Sequence, residues 1–191
     1  MSTSPTDPTG VLTDEVVLVD ELGEPMGTMG KLAAHEAPGH WHAAFSAMLV
    51  DPAGRILLQR RATTKYHFGG RWTNSCCSHP AAGEPLAAAV RRRVPDELGL
   101  DVSDRPVRLA GAFFYTAHDP GSGLQEREYD RVVVVSDVDP ALVRPVPGEV
   151  DEIAWTTMAQ ARRRCEDPDS VTPWFPTVLD LLAVHPDLHL A

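Results

Sequence analysis

Ser78–Leu100, SHPAAGEPLAAAVRRRVPDELGL, is the most informative stretch of the 191 residues. Gly83-Glu84-Pro85 precedes an Ala- and Arg-rich run, which predicts a helix over Leu86–Val94, because proline suits a first turn that does not need its N–H. The carboxylates Glu84, Asp96 and Glu97 and the arginines Arg91, Arg92 and Arg93 lie on or beside this helix. Glu97 follows Arg93 by four residues, so both face one side. Such a face can hold a divalent cation through oxygen while an arginine meets the phosphate that the cation also binds. It can equally be a solvated helix laced with salt bridges, and the helix alone does not choose. Pro95 stands against a regular continuation: inside a helix it removes a backbone hydrogen bond and crowds the preceding turn, at about 3 kcal/mol. A kink or an altered geometry is expected there.

Upstream, Glu15–Val19 and Ala43–Val50 read as strands, and the turn Asp51-Pro52-Ala53-Gly54 leads into Arg55–Arg60 as a hairpin partner. Downstream, Val107–Tyr115 and Glu128–Val135 are strands, with a turn at Asp119-Pro120-Gly121-Ser122-Gly123 between them. Ile153–Trp155 reads as a last short strand, and Met158–Cys165 and Pro173–Val184 as helices. Residues 1–13, rich in Ser, Thr, Pro and Asp, are expected to form a flexible tail ahead of one domain at 14–191. No internal repeat or long linker divides the chain. The expectation is a single α/β (α+β) domain with a mixed sheet.

With 43% hydrophobic and 23% charged residues, a chain of this length can build a real core. The net charge of -10 argues against a nucleic-acid partner or a membrane surface, while leaving room for an anionic substrate at a local basic cluster. No apolar run approaches the roughly 20 residues that span a bilayer, and MSTSPTDPTG lacks a secretory pattern. Three cysteines, two of them adjacent at Cys76 and Cys77, make a poor disulfide framework and suit a reducing compartment. Cytoplasmic location is expected.

The Ser78–Leu100 segment resembles the Nudix box, which runs from a Gly through a Glu to Arg-Glu-hydrophobic-x-Glu-Glu-x-Gly. Glu84, Arg92, Val94, Glu97 and Gly99 match it. Ser78 stands where the first Gly belongs, Arg93 replaces the Glu of the Arg-Glu pair, and Asp96 replaces a later Glu. The resemblance implies a Nudix-type α/β/α sandwich. In that family the glutamates gather metal ions around a phosphoanhydride, and a positive charge at Arg93 favours holding a diphosphate over cleaving it.

Four further motifs narrow the resemblance. Trp72-Thr73-Asn74-Ser75-Cys76-Cys77-Ser78-His79-Pro80 looks like the Trp-Thr-Asn-Ser-x-Cys-Gly-His-Pro signature of type I isopentenyl-diphosphate isomerases. Lys31–His35 followed by His42, then Glu126-Arg127-Glu128, then Thr172-Pro173-Trp174, match that family's other motifs in order, across about residues 15–180. The resemblance implies the interconversion of isopentenyl and dimethylallyl diphosphates, small-molecule partners, and a monomer or weak dimer.

It also implies roles. His35, His42, His79, Glu126 and Glu128 would hold one divalent ion, and three imidazoles with two carboxylates suit Mn²⁺, Zn²⁺ or Mg²⁺. Glu126 and Glu128 project to one face of a strand while Arg127 points to the other. Cys77 and Glu128 would carry the two proton transfers from opposite faces of the substrate, Tyr115 would assist Glu128, and Trp174 would present its π face to a carbocation. Lys31, Arg61, Lys65 and Arg93 would bind the diphosphate, with Glu97 holding a bridging Mg²⁺. Strand alternation lets only one of Arg60 and Arg61 reach the site, and the family match selects Arg61. Cys76 is expected to be packing, and His40, His67 and His118, which match no motif, are expected at the surface. Two other readings stay open: a Nudix pyrophosphohydrolase, and a Nudix domain that binds a ligand without chemistry.

Overall fold

The computed structural model describes residues 15–185, 188, 190 and 191; the expected tail at 1–13 lies outside them. Its elements run β1 (Glu15–Val19), β2 (Pro25–Gly30), α1 (Lys31–His35), β3 (His42–Leu49), β4 (Ile56–Arg61), β5 (Trp72–Thr73), β6 (Cys76–Ser78), α2 (Leu86–Leu98), β7 (Val107–His118), β8 (Gln125–Val135), β9 (Val150–Thr156), α3 (Met158–Arg164) and α4 (Phe175–Ala183). The larger sheet has the order β2-β1-β3-β8-β7, with β6 also paired to β3. β3 and β8 are parallel and their neighbours antiparallel, so the sheet is mixed. A second sheet has the order β5-β4-β9.

The two strands at the centre are apolar on both faces because a helix covers each face. Val133 and Val135 of β8 pack with Val90, Val94 and Leu98 of α2 in one core. Val132 and Val134, pointing the other way, pack with Phe175, Val178 and Leu179 of α4 in another. The α/β/α sandwich of the sequence reading is the architecture found. No helix among the described residues is long and apolar enough to cross a membrane.

The long elements lie where periodicity places them, with some ends shifted. α2 continues through Pro95 to Leu98, so the proline does not end the helix. Gly99 does: it takes φ 58°, its N–H bonds Pro95 O, and a Cβ there would lie 2.6 Å from Arg144 O. The last box glycine is therefore required by a left-handed cap and by a close backbone neighbour. Ser78, by contrast, lies in β6 opposite Phe45, with no positive φ that would need glycine. Short elements escaped the sequence reading, among them β2, α1, β5 and β6. β2, PMGTMG, is exposed almost throughout and carries proline and glycine, which disfavour strands.

Candidate active site and metal centre

β8 sets the frame. Its alternation buries Glu126, Glu128 and Asp130 and turns Arg127 to the other face, where its guanidinium lies 4.7 Å from the Trp41 ring centroid. β3 places His42 beside Glu128 and Ser46 beside Val132, and on its other side pairs Ser46 with Cys77 of β6. Cys77 and Glu128 are thus offset by about four residues along β3, or about 13 Å in the strand direction, and lie on opposite sides of it. Their side chains open onto one cleft that also reaches Tyr115, Trp174 and His79. Alternation in β6 separates the adjacent cysteines: Cys76 is fully buried in the core under α2, while Cys77 faces the cleft.

Four ligand atoms, from His35, His42, His79 and Glu128, lie within 4.8 Å of one another. α1 supplies His35 and orients it, since its Nδ1 lies 2.6 Å from Lys31 O; His42 Nδ1 lies 2.8 Å from His40 O. With Nδ1–H donating to a carbonyl, each ring presents an Nε2 lone pair inward, the tautomer a metal ligand needs. Both Nε2 atoms are buried without a hydrogen-bond partner, as is Glu126 Oε2. Buried, unsatisfied, converging donor atoms fit a divalent cation. Burial pushes the His79 ring down to about 3, against the pull of Glu128, so that ring is neutral.

Glu128 faces two ways. Its Oε1 lies 3.1 Å from His79 Nε2 and 3.4 Å from His42 Nε2, while its Oε2 accepts a 2.6 Å hydrogen bond from the Tyr115 hydroxyl. Burial and the neighbouring Glu126 push this carboxyl up, but His42 and His79 hold it below the usual carboxylate range. Burial pushes the Tyr115 phenol well above its ordinary value, so it remains a donor.

Glu126 falls into a second group, with His35 and His67. His67 corrects the expectation of a surface residue: it is buried, and its Nε2 lies 2.5 Å from Glu126 Oε1. His40 and His118 are exposed, as expected.

At the other end of the cleft, the Cys77 thiol donates to Asn74 Oδ1 at 3.0 Å and lies 3.7 Å from Ser46 Oγ, which donates to Asp130 Oδ2 at 2.7 Å. Burial first and Asp130 second push the thiol up to about 12, so it keeps its proton at neutral pH. Burial and Glu128 push the Asp130 carboxyl up to about 8. Asn74 Oδ1 also accepts from Thr73 Oγ1 at 2.9 Å and from Trp174 Nε1 at 3.3 Å. Trp174 is buried in the core and walls the cleft, with Phe68 and Tyr115 ring centroids 5.4 and 5.6 Å away. Sequence reasoning assigned no role to Asn74, Ser46 or Asp130. Asp130 was within reach, since it continues the alternation of Glu126 and Glu128.

Lys31, Arg61, Lys65 and Arg93 all reach the same cleft. Arg61 is buried, whereas Arg60 turns away to Glu152 at 3.3 Å, as alternation requires. Arg93 holds Asp96 at 2.9 Å and Glu97 at 3.2 Å, Gln59 donates to Glu97 at 3.1 Å, and Lys65 pairs with Glu149. Arg92 grips Glu84 through two hydrogen bonds, of 2.8 and 2.7 Å, and reaches His79 O at 3.3 Å. This clamp ties the loop after β6, and with it His79, to α2.

A sandwich with these carboxylates on α2 defines the class: residues 40–175 match the NUDIX domain family. A crystal structure from Deinococcus radiodurans shares the fold at TM-score 0.71 and 17% identity, over 87% of this chain and 98% of that one. A MutT NUDIX hydrolase from Burkholderia pseudomallei shares it at TM-score 0.56 and 21% identity, over 74% and 98%. Sequence relatives are more particular. The isopentenyl-diphosphate Delta-isomerase of Streptomyces griseus is 48% identical over 165 residues, 85% of this chain and 80% of its own length. That of Nocardia farcinica is 40% identical over 168 residues, 87% and 93%. The chain belongs to the isopentenyl-diphosphate Delta-isomerase family.

Proposed function

We propose that the protein interconverts isopentenyl and dimethylallyl diphosphates by a metal-dependent 1,3-shift of the double bond, acting in the cytoplasm as a monomer or weak dimer. The observation that carries the reading is the pair Cys77 and Glu128 on one cleft, with Trp174 in its wall and a cationic end beside it.

An unactivated alkene must gain a proton at its terminal CH2 carbon, becoming a tertiary cation, and lose one from the CH2 carbon on the other side of the cationic centre. Cys77 and Glu128 hold one transferable proton between them. The thiol carries it and the carboxylate is ionised, which supports donation from sulfur and uptake by Glu128 Oε2, with the roles exchanged in reverse. Tyr115, bonded to that oxygen, would orient it. Trp174 faces a charge that exists only along the reaction path, an attraction of about 2 kcal/mol when desolvated.

His35, His42, His79, Glu126 and Glu128 would hold one divalent ion, Zn²⁺, Mn²⁺ or Mg²⁺, which would fix the Glu128 carboxylate and tune its proton affinity. Lys31, Arg61, Lys65 and Arg93 would take the diphosphate, with Glu97 on a bridging Mg²⁺. Hydrolysis is disfavoured because two of the box carboxylates are already engaged: Glu84 by Arg92, and Asp96 by Arg93.

Purified protein with Mg²⁺ should convert isopentenyl diphosphate to its acid-labile allylic isomer without releasing phosphate, and chelation should stop it. Phosphate or pyrophosphate release without isomer would select a hydrolase. Ligand binding with neither product would select a binding domain.

A further inference from the structure

Glu126 stands between two imidazoles. One oxygen, Oε1, is 2.5 Å from His67 Nε2; the other, Oε2, is 3.0 Å from His35 Nε2. The second contact is close, yet neither His35 Nε2 nor Glu126 Oε2 has a hydrogen-bond partner, because the His35 ring proton is committed to Lys31 O. A lone pair and a carboxylate oxygen facing each other in a buried site repel unless a cation joins them. The first contact is what keeps Glu126 turned this way.

The loop that carries His67 is shaped for the purpose. Arg61 donates to His67 O at 3.2 Å, and the next residue, Phe68, takes φ 48° with its N–H held by Asp119 Oδ2 at 3.2 Å. Left-handed backbone at a bulky residue is strained and persists only where the surroundings over-determine it. Here the turn sends the His67 ring to Glu126 and the Phe68 ring to Trp174.

We infer that His67 is a positioning residue of the metal centre: it donates Nε2–H to Glu126 Oε1 and so holds Oε2 toward His35 and the ion. The inference rests on the proposed metal-dependent reading. His67 is absent from the mutual group of His35, His42, His79 and Glu128 and belongs to the second one, with His35 and Glu126; its Nε2 is taken up by Glu126 Oε1, so it acts through that carboxylate. The loop that brings Lys65 to the diphosphate end is thereby tied to the ion.

The test is zinc affinity, measured on metal-free protein by competition with a chromophoric chelator, together with the visible spectrum of the Co²⁺ form. Outer-shell partners of this kind change metal affinity by about 10- to 100-fold, and His67→Ala should weaken Zn²⁺ binding by that much and shift the Co²⁺ bands. His67→Gln, whose amide can donate to the same oxygen, should restore most of both. In a Glu126→Gln background, His67→Ala should add no further loss. Unchanged affinity in His67→Ala, or an equal additional loss in the double variant, would overturn the inference; so would failure of His67→Gln to restore the spectrum, which would make His67 a ligand itself. If His67→Ala does not fold, the His67→Gln comparison in both backgrounds decides alone. Zinc binding does not require turnover. Wild-type protein that binds zinc as described but makes no isomer would refute the proposed function and leave this inference standing.

Discussion

Asn74→Ala should disturb the thiol and the indole at the Cys77 end of the cleft together. One side-chain oxygen accepts from the Cys77 thiol, the Trp174 indole and the Thr73 hydroxyl, while the amide nitrogen donates to Ala47 O at 3.3 Å and Cys76 O at 3.0 Å. Asn74 is fully buried, so water cannot replace it. At about 1 kcal/mol per lost hydrogen bond, with non-additivity, these contacts amount to roughly 3 to 5 kcal/mol. That is a large part of the about 5 to 15 kcal/mol typical of a native domain. It corresponds to a melting temperature lower by roughly 6–20 °C, at about 2–4 °C per kcal/mol for this size. The protein should still fold at low temperature. An indole no longer held against the cleft forfeits its attraction to the carbocation, about 2 kcal/mol, which is about 30-fold in kcat. KM should change little, because Asn74 is not among the residues lining the cationic end. Thermal melts and the isomer assay below the variant's melting temperature check both parts. A folded Asn74→Ala with kcat within about threefold of wild type would refute the argument that this oxygen orients thiol and indole.

Cys77→Ala should lower kcat by about 100- to 10,000-fold, the range for loss of a positioned proton-transfer group, with substrate affinity retained by calorimetry. Cys76→Ala should leave turnover nearly intact and cost about 1 kcal/mol of stability as a small core truncation; a comparable loss of activity would assign the chemistry to the wrong thiol. Trp174→Leu should lower kcat by about 30-fold, with Trp174→Phe intermediate, and equal rates for the two in steady-state assays would remove the cation–π role. Asp130 gives a pH signature in the metal-free protein. Its carboxyl is raised to about 8 when folded, so the folded chain keeps a proton that the unfolded chain releases. The stability from that proton is complete below the unfolded value near 4 and is lost as pH rises toward 8, at up to about 1.4 kcal/mol per pH unit. Asp130→Asn should lack this fall, and parallel denaturant curves for the two proteins between pH 5 and 9 would show the reasoning wrong.

Sequence alone determined what depends on local geometry. Alternation on one strand placed Glu126 and Glu128 together and Arg127 opposite, and separated Arg60 from Arg61, because successive residues of a strand face opposite sides whatever surrounds them. Motifs in order named the family, and the apolar periodicity of long segments located the strands and helices of the sandwich. Tertiary structure decided the meetings of groups distant along the chain. His67 matches no motif, and only the left-handed turn at Phe68 and the position of β8 bring it to Glu126. Asn74 stood inside a recognised motif, yet its junction with Trp174 exists only because the turn between β5 and β6 and the start of α4 converge on the cleft. Short elements such as β2 and α1 carry too few residues for a periodic signal, so packing, which sequence spacing does not encode, formed them.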